Sequence, residues 1–144
     1  MNDLQARDFI VSLQEKISDM PGAMFGDCFP LKHSFAEGLY IREINVPKNM
    51  LIATKIHKYS HPVFLLKGDV SVLEEKGARR VVAPCYFVTK AGTKRICYTH
   101  EDTVWITVHA TKETDLDKIE EHIIAKDFYE LEQKEKQCHL STSQ

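Results

Sequence analysis

Between Leu39 and His109 the chain is a succession of short apolar, β-branched runs separated by turn residues, and few architectures accept that pattern. The runs fall at Leu39–Val46, Met50–His57, Pro62–Leu66, Val70–Glu74, Arg79–Val82, Cys85–Thr89, Lys94–Thr99 and Thr103–His109. Between them stand Pro47-Lys48-Asn49, Gly68-Asp69, Lys76-Gly77, Pro84, Ala91-Gly92 and His100-Glu101-Asp102. Strands at a spacing of roughly 8–12 residues predict an all-β sandwich or barrel and argue against a parallel α/β sheet. A chain of 144 residues suits one such domain with its own core.

Helical periodicity appears only on either side of these runs. Ala6, Ile10, Leu13 and Ile17 recur on one face of a predicted helix over residues 3–19, capped by Asn2 or Asp3 and ended by Pro21-Gly22. Residues 21–38, punctuated by glycine and proline, read as an irregular lead-in. A second helix is predicted from Asp115 to about Lys126, with Thr114 as its cap and Leu116, Ile119 and Ile123 as its buried edge. The last residues, EKQCHLSTSQ, read as a polar tail. The expected organisation is an N-terminal helical segment over 1–22, a barrel over 23–112, a C-terminal helix over 113–130 and a tail over 131–144.

Several function classes lose ground on charge and composition. A net charge of −2 supplies no basic field for a nucleic-acid polymer. No apolar run reaches the ~20 residues of a membrane helix, and MNDLQARDF lacks a secretory layout, so a cytoplasmic protein is expected. Cys28, Cys85, Cys97 and Cys138 have no zinc-ribbon spacing and read as free thiols. Phosphate-loop, dinucleotide and nucleophile-elbow motifs are lacking. Glu74-Glu75 and Glu130–Glu135 read as solvated surface, and His33, His100, His122 and His139 as ordinary polar residues.

Two further stretches carry a resemblance. The histidines of KIHKYSH lie ahead of the Gly68 turn, and AGTKR follows later. This layout resembles the two motifs of the cupin superfamily, which implies a mainly β, double-sheet jelly-roll barrel with flanking N- and C-terminal helices. In the cupin motifs a His-x-His pair and a Glu precede the glycine turn, and a His follows a Pro-Gly. Counted against those motifs, Lys55 and His57 take the first two ligand positions, His61 the carboxylate position and Arg95 the last histidine. More narrowly, CFPLKHSFAEGLYIREINVP, KIHKYSH, AGTKRICYTHEDTVWITVH and ETDLDKIEEHII are similar to small cupin-like proteins encoded by bacteriophages. That likeness implies a host-cell cytoplasmic setting and supplies no activity. Cupins also form dimers or larger rings, so a homo-oligomer is expected.

Strand alternation then predicts which side chains share the cup. If His57 points inward, Lys55 and Ala53 do as well, with Ile52, Thr54 and Ile56 on the opposite face. Trp105, Thr107 and His109 form one face of the last strand, Arg95, Cys97 and Thr99 one face of another, and Tyr40 and Arg42 one face of the first. The candidate pocket is Arg42, Lys55, His57, His61, Arg95, Trp105, Thr107 and His109. One reading takes His57, His61 and His109 as imidazole ligands of Zn²⁺, Fe²⁺, Mn²⁺ or Ni²⁺ in a metal-dependent cupin enzyme. The favoured reading needs no metal. Lys55, Arg95 and Arg42 supply charge, Thr107 and the imidazoles supply hydrogen bonds, and Trp105 offers a stacking face. The expected partner is then a small anionic, nucleotide-derived ligand, which in a phage fits capture of a host signalling nucleotide. A third class is a structural or virion-assembly protein with no ligand. A Cys97 nucleophile is open, but nothing in the sequence places a base against it.

Overall fold

The computed structural model describes residues 2–18, 29–127, 129 and 132, and among these it holds eleven strands and two helices. The order is α1 (Asp3–Ser18), β1 (Leu31–Ala36), β2 (Leu39–Val46), β3 (Leu51–Ala53), β4 (Ile56–His57) and β5 (His61–Lys67). It continues with β6 (Asp69–Glu74), β7 (Gly77–Val82), β8 (Cys85–Thr89), β9 (Ile96–Thr99), β10 (Thr103–Ala110), α2 (Leu116–Ile123) and β11 (Ile124–Ala125). The end of the first predicted helix at Pro21-Gly22, Cys28, Cys138, His139 and the polar tail lie outside the described residues, as does the side chain of Ile17.

The strands form a five-stranded antiparallel sheet, β1-β2-β10-β5-β8, facing a four-stranded one, β3-β9-β6-β7, with a small β11-β4 pair between them. This is the expected double-sheet jelly roll. β5 shows why the sequence folds this way. His61, Val63 and Leu65 are buried while Phe64 and Leu66 are exposed, so strict alternation gives one inward face. Leu65 meets Val70, Val72 and Cys97 from the opposite sheet, with Ile52 and Trp105 against them. At Gly68 the chain passes between sheets with φ +125°, and a Cβ there would lie 2.6 Å from Thr103 Oγ1. Only glycine fits that turn.

Both helices cover the barrel. Asn2 and Gln5 exchange backbone-to-side-chain hydrogen bonds that cap α1, and Ile10 packs on Ile96, Ala53 and Leu73 of the four-stranded sheet. On α2, Ile119 and Ile123 pack against Tyr40. Asp115, not Thr114, is its cap: the carboxylate accepts from the N–H groups of Asp117 and Lys118. Leu116 is 43% exposed and is no part of the buried edge. The helix stops at Ile123 because Ile124 and Ala125 turn extended to pair with His57 and Ile56. Among the described residues no helix is long and apolar enough to cross a membrane.

Two strand expectations need correction. Residues 31–36 were expected to be irregular but form β1, an edge strand in full register with β2. Its half-buried, polar-rich pattern carries little apolar signal. The predicted Met50–His57 strand divides into β3 and β4 around Thr54 and Lys55. There Thr54 Oγ1 accepts from the Arg95 N–H, and the Thr54 N–H reaches the Arg95 carbonyl.

Candidate functional site

Three imidazoles converge inside the barrel from three different strands. β10 and β5 are antiparallel neighbours with Thr107 opposite Val63, and the same register carried two residues on brings His109 level with His61. β4 brings in His57 after the strand is interrupted at Thr54-Lys55. Ring centroids are 4.3 Å apart for His57 and His61, 4.6 Å for His61 and His109, and 5.2 Å for His57 and His109. One ring nitrogen of each lies within 4.8 Å of those of the other two.

Burial keeps this group neutral. Desolvation, reinforced by His61, His109, Arg42 and Arg95, pushes His57 down to about 2. Desolvation and the charges of His61 and Arg42 push His109 down to about 3, and burial lowers His61. Two of the three rings are also held by a second partner. His61 Nδ1 donates to the Tyr59 carbonyl over 3.2 Å, which leaves its Nε2 lone pair free. His109 Nε2 and Thr107 Oγ1 are 2.9 Å apart, and when that nitrogen donates, Nδ1 keeps the lone pair. Neutral imidazoles oriented through their far nitrogen are what a divalent transition metal requires, so the residues present fit such an ion.

The group opens into a cavity of about 470 Å³, within the size range of small-molecule sites. All eight sequence-predicted residues, Arg42, Lys55, His57, His61, Arg95, Trp105, Thr107 and His109, line it. Their electrical roles differ from the expectation. Lys55 is at the rim, donating to Glu120 Oε1 of α2. Arg95 is 5% exposed, donates to Thr89 Oγ1 and lies 3.2 Å from Glu74 Oε2 through an Nε with no directed hydrogen bond. Three cations, Arg42, Lys55 and Arg95, thus share the lining with the carboxylates of Asp117 and Glu120, so the cup is less cationic than the sequence implied.

Glu74 and Glu75 are therefore not simply solvated. Glu74 pairs with Arg79 as well as Arg95, and Glu75 pairs with Arg7. Arg95 pairs with neither Glu101 nor Asp102. Both Arg79 and Arg95 lie against the Phe87 ring, whose edge meets Trp105 at 5.6 Å. Ala53 lines the cavity with Lys55 and His57, as alternation implies, but Ile52 and Thr54 of the expected opposite face line it too. Ala53 also packs toward α1, and Ile52 joins the interior cluster with Leu65. Burial raises the Cys97 thiol to about 12, which removes it as a nucleophile near neutral pH.

Sequence reasoning missed a second feature of the cavity. His33 Nδ1 and the Tyr40 hydroxyl share a 2.6 Å hydrogen bond, and Tyr40 stacks on His109 at 5.8 Å. Both residues line the cavity. Recognising β1 as a strand would have exposed this pair, because Leu31 and His33 then share a face, and both line the cavity.

No family model and no curated protein matches this sequence. Solved structures do resemble its fold. Ectoine synthase from P. lautus aligns with a TM-score of 0.55 at 9% identity, over 77% of this chain and 84% of that one. KdgF from Halomonas sp. aligns at 0.52 and 13% identity, over 71% and 94%. A putative ethanolamine utilization protein Q from Salmonella typhimurium aligns at 0.50 and 13%, over 60% and 72%. Together with the sheet order, these likenesses show the fold, a double-sheet jelly roll.

Proposed function

We propose that this chain is a metal-dependent cupin in which His57, His61 and His109 hold one divalent transition ion, Zn²⁺, Fe²⁺, Mn²⁺ or Ni²⁺, beside a small acidic molecule in the cavity. The observation that supports the metal is the trio of neutral imidazoles, His61 and His109 buried and His57 half-buried, with one nitrogen of each within 4.8 Å of the others. An ion bound there supplies Lewis acidity toward a substrate oxygen or a bound water. The chain's own groups do the rest. Tyr59 and Thr107 orient two of the rings, and the Tyr40–His33 pair offers a site of proton exchange on the cavity wall. The Arg42 charge, felt at both His57 and His109, favours an anionic group on the ligand.

The test is metal analysis of protein purified without a histidine tag. About one equivalent of transition metal is expected, lost in the His57→Ala/His109→Ala double variant. A folded protein that takes up no Zn²⁺, Fe²⁺, Mn²⁺ or Ni²⁺ would sink the proposal.

Arg42 and the remaining lining cations also support a second reading, a metal-free cup for a phosphorylated or nucleotide-derived anion. The likeness to phage-encoded proteins adds a setting, the host cytoplasm, in which such a cup would capture a signalling nucleotide. Nucleotides and sugar phosphates should then raise the melting temperature, and Arg42→Ala should abolish the rise. Flat results in both screens would leave a structural or assembly role.

A further inference from the structure

The cavity changes character along its length. Antiparallel pairing of β2 and β10 sets its inward side chains in successive levels: Tyr40 with His109, Arg42 with Thr107, Ile44 with Trp105, and Val46 with Thr103. Neighbouring levels stand about 7 Å apart, so Trp105 lies about 13 Å along its strand from His109. The first two levels belong to the imidazoles and Arg42. Apolar groups wall the last two. Ile52 and Val70 of the opposite sheet line the same cavity and share a cluster with Trp105, while Leu31 of β1 lies opposite Ile44.

Two hydroxyls reach this distal half, and both are already committed. Thr99 Oγ1 donates to the Pro47 carbonyl over 2.7 Å, and Thr103 Oγ1 to the Glu101 carbonyl over 2.9 Å. Burial raises the Cys97 thiol to about 12, so it carries no charge there. Ile44 and Trp105 nevertheless stay only half-buried, which leaves apolar surface bare inside the barrel. An ionised group placed against it would lose its water and find no charged partner.

We propose that the cavity takes an amphiphilic monocarboxylate, with its carboxylate beside the histidines and Arg42 and its hydrocarbon body between Ile44, Ile52, Val70 and Trp105. The acidic head rests on the proposed function, whereas the hydrocarbon body rests on the two distal levels alone. A compact polyanion leaves those levels filled with water against apolar walls. A hydrocarbon body displaces that water, and each methylene that enters tightens binding about threefold.

Trp105 is the chain's single tryptophan, so its fluorescence reports on the distal half. Titration of the Zn²⁺-loaded full chain with butanoate, hexanoate and octanoate should show affinity rising about threefold per methylene, with a blue shift of Trp105 emission as the longer acids displace water. Malonate, a compact dianion, should bind more weakly than octanoate and leave the emission unchanged. Ile44→Asn should weaken octanoate more than butanoate. A flat series on the wild type, tighter binding of malonate, an emission unmoved by octanoate, or a folded Ile44→Asn variant with the wild-type slope overturns the proposal. The wild-type series decides alone if that variant does not fold. A protein that takes up no Zn²⁺ sinks the metal only, and the same series on metal-free protein then tests the apolar half: a rise with chain length supports it, and a flat response overturns it.

Discussion

At the scale of single residues, the site is governed by what burial does to charge. His109 is 4% exposed and stays neutral down to about pH 3, whereas in an unfolded chain it takes up a proton near 6.5. The unfolded state therefore binds more protons below neutrality, and folding stability falls as pH falls from about 7 toward 3. For metal-free protein, urea unfolding at pH 6.5 and 4.5 should differ by about 2 kcal/mol from His109 alone, with the same sign from His57. In a His109→Gln variant the slope should shrink by that share. Arg95 is the opposite case, a charge kept buried because Glu74 is beside it. Arg95→Met should cost about 3 kcal/mol in chemical unfolding, since Glu74 keeps Arg79 but loses its buried partner. The histidines and Arg95 were legible in the sequence as unusual residues in strands. Glu74 was not, because its partner stands 21 positions away and only the folded sheets bring them together.

At the scale of elements, the cavity depends on short structures whose ends are fixed locally. α2 has only eight residues and contributes Leu116, Ile119, Glu120 and Ile123 to the cavity wall. An isolated helix of that length does not persist in water, so its cap and its contact with Tyr40 hold it. Asp115→Ala should lower stability by about 1 kcal/mol, read from the shift of the thermal midpoint, while Thr114→Ala should change it by much less. Gly68 fixes the crossing between sheets in a different way. Gly68→Ala drives a Cβ into Thr103 at a backbone angle that side chains rarely adopt, and should cost about 2 kcal/mol or more. The turn was visible as Lys67-Gly68-Asp69, but the close approach of Thr103 was not. Likewise, alternation predicted the inward set Trp105, Thr107 and His109 on an unbroken strand, and was incomplete on β3, where Ile52 reaches the cavity alongside Ala53.

On the scale of the whole molecule, an ion bound by the three histidines would tie together separate parts of the fold. His57 pairs through its strand with the segment after α2, while His61 and His109 belong to the five-stranded sheet. A metal held by all three would stabilise the native state alone. Adding Zn²⁺ at a hundred times its dissociation constant should raise unfolding free energy by about 2.7 kcal/mol, and a chelator should reverse the shift. The same addition to the His57→Ala/His109→Ala variant should leave its thermal midpoint unchanged.

The sequence by itself determined the barrel, because periodicity of two and the glycine and proline breaks are local properties that each strand carries alone. It also supplied every cation of the candidate pocket and three of its four imidazoles. Only the tertiary structure decided what those groups are to one another. Register brings His61 level with His109, Glu74 and Glu120 balance two of the cations, and burial keeps three imidazoles neutral. Charge state and ligation depend on distances across strands and on exclusion of water, and neither quantity exists until the two sheets close on each other.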